Sequence, residues 1–160
     1  LTGSGLTLDD GVVCDATLAA APGVVAAGDV ARWPNPAFGG QLMRLEHWTN
    51  ATEQGVAAAT RLLAGDDGAV PFSSVPFVWS DQYDVNLQIL GLPARWAEPV
   101  VRGDRARGAF SEFYLDGERV VAVVAVNAPR DLRAAKRLVQ TGKPVRAESL
   151  ADPAVQLQKL

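Results

Sequence analysis

The sequence predicts an α+β protein in two parts: a first part of α/β character that closes on a helix, then an antiparallel sheet with a helix on one face. Three observations carry this. A short apolar run, Val24-Val25-Ala26-Ala27, stops at Gly28-Asp29 and leads on to an alanine-rich helical stretch ending near Leu63, the pattern of a strand and its following helix in an open α/β sheet. The composition turns at Gly65-Asp66-Asp67-Gly68, from alanine-rich helix to proline, valine and aromatic residues. Beyond that point, strand-type segments are joined by Asp116-Gly117, a pair that supplies the positive φ angles of a tight hairpin, and one last helical stretch follows. We therefore expect one domain over residues 1–66 and a second over 70–160.

In the first part, Leu6 to Cys14 alternate around Asp9-Asp10-Gly11, which predicts a hairpin. Ala16 to Ala21 lead to a Pro22-Gly23 turn and then to the Val24 run, expected as a buried strand. Trp33-Pro34-Asn35-Pro36-Ala37-Phe38-Gly39-Gly40 holds too many breakers for regular structure and is expected as a loop with aromatic anchors. A helix should start near Asn50, with Asn50 as its cap and Glu53 completing a capping box, and should end near Leu63 with Gly65 as its stop. Its stripe Ala51, Gly55, Ala58, Ala59 and Leu62 is mostly small, which predicts close packing on a sheet or a neighbouring helix.

In the second part, Pro76 to Trp79 begin a strand, and Val85, Leu87 and Ile89 alternate with Asn86 and Gln88 as in a half-buried one. Trp96 to Arg102 should form another, with Pro99 suited to an edge. Ala109–Leu115 and Arg119–Asn127 flank Asp116-Gly117 as a hairpin, and the unbroken run Val120 to Val126 implies a central strand buried on both sides. The last helix is expected from Arg130 to Gln140, with Pro129 near its first turn, Leu132, Ala135, Leu138 and Val139 facing inward, and Gly142 as its stop. The tail from Lys143 should be weakly structured, with Leu150, Leu157 and Leu160 docking.

Composition narrows the function classes. With 160 residues, 48% of them hydrophobic, the chain can bury one moderate core, or one core plus a dependent fragment. A net charge of -3 carries no electrostatic footprint for nucleic acid. The single cysteine, Cys14, excludes a disulfide framework or a Cys-x-x-Cys pair within this stretch and reads as a small core hydrophobe in a reducing, cytoplasmic setting. No apolar run reaches membrane-spanning length, and Leu1-Thr2-Gly3-Ser4-Gly5 lacks the features of a signal peptide, so a soluble protein without membrane contact is expected. With one histidine, His47, and no carboxylates at ligand spacing, no metal site is expected.

The candidate site is Gly28-Asp29. At the carboxyl end of a strand a glycine admits a phosphate or sugar to the backbone, and a carboxylate can accept hydrogen bonds from sugar-type hydroxyls. A strand end with a turn aspartate is the plainer alternative. The surrounding residues add to this. Thr17, Pro22-Gly23-Val24, Ala27-Gly28-Asp29-Val30, Asn35-Pro36, Arg44-Leu45-Glu46-His47-Trp48-Thr49-Asn50-Ala51, Gln54-Gly55 and Trp79-Ser80-Asp81-Gln82-Tyr83, in this order, resemble the C-terminal part of an FAD-dependent, NAD(P)H-oxidising ferredoxin reductase. The type is the one that serves dioxygenase and cytochrome P450 chains. The resemblance implies that the first part is the remnant of an α/β FAD-binding domain and the second a reductase C-terminal domain. Neither Gly-rich dinucleotide fingerprint of the family lies in these residues.

Residue by residue, the resemblance implies that Asp29, with Gly28 and Val30, contacts the ribityl chain of FAD. The backbone of Trp48 meets the flavin ring just ahead of a helix whose start faces the pyrimidine edge, where its partial positive charge favours the anionic reduced flavin. Glu46 lies near the nicotinamide of NAD(P)H. His47 is expected as a hydrogen-bonded histidine at a domain joint, because hydride transfer to flavin needs no histidine base. Trp79 shields the isoalloxazine face; burial within its own domain is the alternative. No residue of the chain is expected to be catalytic, and the His-x-x-x-x-Glu of disulfide reductases is missing, since no histidine follows His47. The implied partner is an acidic 2Fe-2S ferredoxin, which the basic cluster Arg130, Arg133, Lys136 and Arg137 could attract, although a charge run is usually a solvated helix face. Residues 1–65 should leave apolar surface that a homodimer partner could cover. As an isolated piece, the chain reads alternatively as a structural or interaction domain unable to hold FAD alone.

Overall fold

Buried apolar side chains separate into two clusters, one around Trp33 and one around Phe113. The chain divides accordingly in the computed structural model, which describes residues 1–92 and 98–160, into the units Leu1–Ser74 and Val75–Leu160.

In the first unit β1 (Val12–Val13) pairs in parallel with β4 (Ala31–Asn35), and β5 (Gln41–Met43) completes a three-stranded sheet in the order β1-β4-β5. β2 (Ala19–Ala21) and β3 (Val24–Val25) form a separate hairpin. The expected hairpin at Asp9-Asp10-Gly11 reduces to a turn with one bridge, Leu8 to Val12, because β1 takes its ladder from β4 instead. Asp15 organises the next turn: its Oδ1 accepts from the N–H groups of Thr17 (2.8 Å) and Ala19 (3.0 Å) and from the Thr17 hydroxyl (2.8 Å). Against the raising effect of partial burial, these bonds and nearby Arg61 hold its carboxyl below the ordinary range. Cys14 is buried, its thiol donates to the Val12 carbonyl (3.4 Å), and burial raises its pKa, as suits a core residue.

Three expectations for this unit are corrected. The Val24 run is not a buried strand: only two residues are extended, Val24 is 41% exposed, and the Pro22-Gly23 turn folds the run back on Ala19–Ala21. The breaker-rich segment is not a loop but a strand, a single turn of 3₁₀ helix over Pro36–Phe38, and a returning strand. Pro34 is tolerated because β1 pairs only as far as Arg32, so at Pro34 the strand β4 has a neighbour on one side alone. Trp33, beside it, is fully buried, with its indole N–H donating to the Phe72 carbonyl at 3.4 Å.

The third correction concerns α1 (Trp48–Ala64), which begins two residues early. His47 holds the extended capping backbone, while Asn50 lies inside the helix, 2% exposed, donating from Nδ2 to the Leu45 carbonyl at 3.3 Å. Glu53 completes no capping box and instead accepts from the Ser74 hydroxyl. The buried face is Asn50, Gln54 and Ala58, whereas Gly55, Ala59 and Leu62 of the small stripe are exposed. The two inward amides find main-chain partners, which lets polar residues take the core face. The outer face carries exposed apolar groups: Trp48, Val56, Leu62 and Leu63. Gly65, at φ 68°, ends the helix as expected.

The second unit is a five-stranded antiparallel sheet of β6 (Phe77–Gln82), β7 (Val85–Gly91), β8 (Val100–Asp104), β9 (Ala109–Asp116) and β10 (Arg119–Val126) in the order β6-β7-β10-β9-β8. α2 (Pro129–Thr141) lays Leu132, Ala135 and Leu138 on Leu90, Phe113 and Val123, and Gly142 closes it in the left-handed conformation. This is the α+β class expected. The strand expected from Trp96 starts at Val100 in the described chain; residues 93–97 lie outside the described residues.

Here too the packing corrects details. Leu90, not Ile89, faces α2, so Val85, Leu87 and Ile89 lie on the opposite face of the sheet, where Leu87 and Ile89 are partly buried and Val85 is exposed. β10 is central, but only one of its faces is fully buried: Val121, Val124 and Val126 are intermediate. The ladder between β9 and β10 shifts register between Val120 and Ala122, and Gly91, at φ 80°, faces that shift; a Cβ there would sit 2.2 Å from the Val121 carbonyl oxygen. The tail is well structured. α3 (Ala147–Ala151) and a 3₁₀ turn over Leu157–Lys159 bury Leu150 and Leu157 in the core. Arg102, 8% exposed, gathers the carbonyls of Leu150, Asp152, Pro153 and Val155 while pairing with Asp131 (3.3 Å).

Candidate functional site

The site begins with a backbone requirement. Gly28 sits at φ 74°, in the left-handed region, and an added Cβ would lie 3.3 Å from the Ala51 Cβ on α1, so the turn Gly28–Val30 can approach the helix only with glycine there. The turn is closed by the N–H of Ala31 donating to the Gly28 carbonyl. The Gly28 N–H donates to Oε1 of Gln54 (2.8 Å), which is fully buried. On the other side, Arg44 donates from Nη1 to the Asp29 carbonyl (3.0 Å) and is itself paired with Glu46 (2.6 Å) and Asp10 (3.2 Å). With its main chain thus occupied, Asp29 is exposed and its carboxylate has no hydrogen bond or ion pair among the described residues. Such a carboxylate can accept from hydroxyl groups of a ligand.

The residues singled out from the sequence fall in two places. Gly28, Asp29 and Val30 form the turn; Glu46 is linked to it through Arg44; His47 and Trp48 open α1, against which the turn packs. Trp48 is 74% exposed at the first position of the helix, where the backbone amides carry partial positive charge. At His47 the ring Nδ1 is buried without a hydrogen-bond partner among the described residues, and the backbone carbonyl accepts from the N–H of Ala51 (3.0 Å).

Trp79 belongs to the second unit. It lies on β6 opposite Gln88, is 42% exposed, and stacks on Phe77 with ring centroids 5.6 Å apart. Burial within its own domain therefore does not describe it. Arg130, Arg133, Lys136 and Arg137 are all exposed on α2; only Arg137 has a main-chain bond, to the Leu160 carbonyl (3.0 Å), and none of the four makes an ion pair among the described residues.

Sequence reasoning assigned no role to Arg44 or Gln54, the two side chains that hold the turn. A glutamine in mid-helix reads as a solvated residue. The available signal was its spacing from Asn50: two amides at i and i+4 share one helical face, and both face inward here. Among the described residues no helix is long and apolar enough to cross a membrane, and no cluster of metal-ligating side chains is present.

Comparison with known proteins adds to this geometry. Residues 77–160 match the family model described as Reductase C-terminal. Over 157 residues the chain is 44% identical to the anthranilate 1,2-dioxygenase system ferredoxin–NAD(+) reductase component of Burkholderia cepacia, a match that covers 97% of this chain and 38% of that protein. Among solved structures, the ferredoxin reductase for the CYP199A2 system from Rhodopseudomonas palustris has a TM-score of 0.90 at 34% identity, over 99% of this chain and 38% of that one. A chain of the covalent putidaredoxin reductase–putidaredoxin complex has a TM-score of 0.87 at 34% identity, over 99% and 37%. The chain thus spans well under half the length of these relatives.

Proposed function

We propose a function from one premise, that this chain belongs to the reductase C-terminal family: it is the C-terminal part of an FAD-dependent NAD(P)H:ferredoxin reductase. The unit Leu1–Ser74 is then the closing piece of the FAD-binding domain, and Val75–Leu160 the reductase C-terminal domain. The observation that carries this reading is the Gly28–Val30 turn, in which a left-handed glycine packs against α1 and an exposed carboxylate has no partner among the described residues. That donor set suits the hydroxylated chain of a flavin nucleotide.

When bound, FAD supplies the chemistry, accepting a hydride from NAD(P)H and releasing electrons singly. The residues of this chain bind and orient it. Asp29 accepts hydrogen bonds from ribityl hydroxyls, and Gly28 and Val30 line the same contact. The start of α1 at Trp48 favours negative charge on the nearby ring edge. His47 opens α1, Glu46 would lie near the nicotinamide, and Trp79 would keep water from the ring. The electron acceptor is a ferredoxin, of 2Fe-2S type as the resemblance implies; the names of the relatives support a ferredoxin, and the exposed basic residues of α2 support an acidic one. The exposed apolar face of α1 supports a homodimer contact, and the lone buried cysteine a cytoplasmic location.

In the full-length protein, Asp29→Ala should weaken FAD binding roughly 10- to 100-fold, since hydrogen bonds to a charged group are each worth about 1.5–3 kcal/mol. Reconstitution of the apoprotein followed by flavin fluorescence measures this, and an unchanged Kd would overturn the reading. Residues 1–160 alone, lacking a Gly-rich pyrophosphate turn, should purify without flavin absorbance; stoichiometric yellow protein would refute that.

A further inference from the structure

The turn that presents Asp29 is gripped from two sides by the side chains of Gln54 and Arg44. Gln54 stands in the middle of α1 with none of its surface exposed, an arrangement that is unfavourable for an amide unless it is hydrogen-bonded. Its Oε1 accepts from the N–H of Gly28 at 2.8 Å. Its Nε2 has no partner among the described residues. Toward the Gly28 turn, Gln54 thus serves as an acceptor. The peptide it holds is the one that must turn left-handed for the chain to pass close to α1, and the next carbonyl, that of Asp29, is held by Arg44. Held on both sides, the turn leaves the Asp29 carboxylate without a hydrogen bond or ion pair among the described residues.

We infer that Gln54 is a positioning residue for the cofactor site: its buried carboxamide holds the Gly28 peptide in the conformation that aims Asp29 at the flavin. The inference rests on the proposed reading of Asp29. It predicts an asymmetry among substitutions. Gln54→Glu keeps a carbonyl acceptor for the Gly28 N–H, since a carboxyl this deeply buried favours its neutral form, whereas Gln54→Met removes the acceptor with little change of shape.

The test uses the full-length flavoprotein stripped of FAD and reconstituted. Gln54→Met should raise the Kd for FAD about tenfold, as displacement of a contact by a misplaced support does, and Gln54→Glu should restore it to within about threefold of the parent. The double variant Asp29→Ala with Gln54→Met should bind no more weakly than Asp29→Ala alone, because Gln54 acts through Asp29. An unchanged Kd in Gln54→Met, additive losses in the double variant, or a Gln54→Glu protein that recovers the melting temperature of the apoprotein without recovering FAD affinity would each overturn the inference. If Gln54→Met does not fold, Gln54→Glu decides alone: parental affinity supports the acceptor role, and loss of affinity at parental apoprotein stability refutes it. An Asp29→Ala protein with parental FAD affinity would instead refute the reading of Asp29 itself.

Discussion

Arg102 is expected to be the largest single-residue determinant of stability in the second unit. It is 8% exposed, pairs with Asp131, and donates to four main-chain carbonyls between Leu150 and Val155. Asp131 in turn accepts from the Ser111 hydroxyl (3.2 Å). Arg102→Met keeps most of the aliphatic stem and removes the fork. Breaking a buried ion pair by deleting one partner costs about 3–5 kcal/mol. The Asp131 side chain is 25% exposed and the freed carbonyls can rehydrate, so the lower end applies, about 3 kcal/mol. For a unit of this size each kcal/mol moves the midpoint by about 4–8 °C, giving a fall of roughly 12–24 °C. Arg102→Lys should recover the charge opposite Asp131 but not the simultaneous carbonyl contacts, and should lie between the two. Calorimetry gives the midpoint, and amide exchange across residues 147–160 gives the local effect. A midpoint within about 3 °C of the parent, well below the expected fall, together with unaltered protection of that segment, would refute this account.

Other outcomes follow from the same structure. Asp15 has a folded-state pKa below its unfolded value of about 3.9, so its stabilisation is present above that pH and is lost as pH falls through the folded value. Asp15→Ala should cost about 1 kcal/mol at neutral pH, as loss of a cap does, and much less at pH values well below the unfolded pKa; melts across that range check it. Reversing Arg130, Arg133 and Lys136 to Glu in the full-length protein should lower kcat/KM for ferredoxin about tenfold at low salt, with a shallower salt dependence, while ferricyanide reduction stays unchanged; equal rates with ferredoxin would remove α2 from the encounter. The exposed apolar groups on the outer face of α1 predict that residues 1–160 self-associate and that Val56→Lys with Leu63→Glu abolishes this. Sedimentation velocity on both settles that.

Much of this architecture was legible where its cause is local. Asp116-Gly117 dictates a hairpin, Pro129 and Gly142 bound α2, and Gly65 stops α1, because each acts through its own backbone torsion angles. What escaped depends on partners distant in sequence. Pro34 reads as a breaker until the short reach of β1 is known. The tail reads as loose until Arg102, from β8, is seen to collect its carbonyls. Asn50 reads as a cap because the preceding residues give no sign that His47 takes that place. The Gly28-Asp29 pair could be identified as a candidate from chemistry alone. Gln54 could not, since only the approach of a turn 26 positions earlier along the chain turns a helical glutamine into an acceptor for it.

The register shift in β10 settles a problem that an unpatterned valine run creates. In a regular strand, residues three apart point to opposite sides, so Val120 and Val123 could not share a core. The single extra residue inverts the phase, and both side chains join Phe113 and Leu138 beneath the helix. A segment with no alternation of its own thereby acquires one unique alignment. Its socket is the missing side chain at Gly91, and a sliding error by one position would drive the kink against full-sized neighbours.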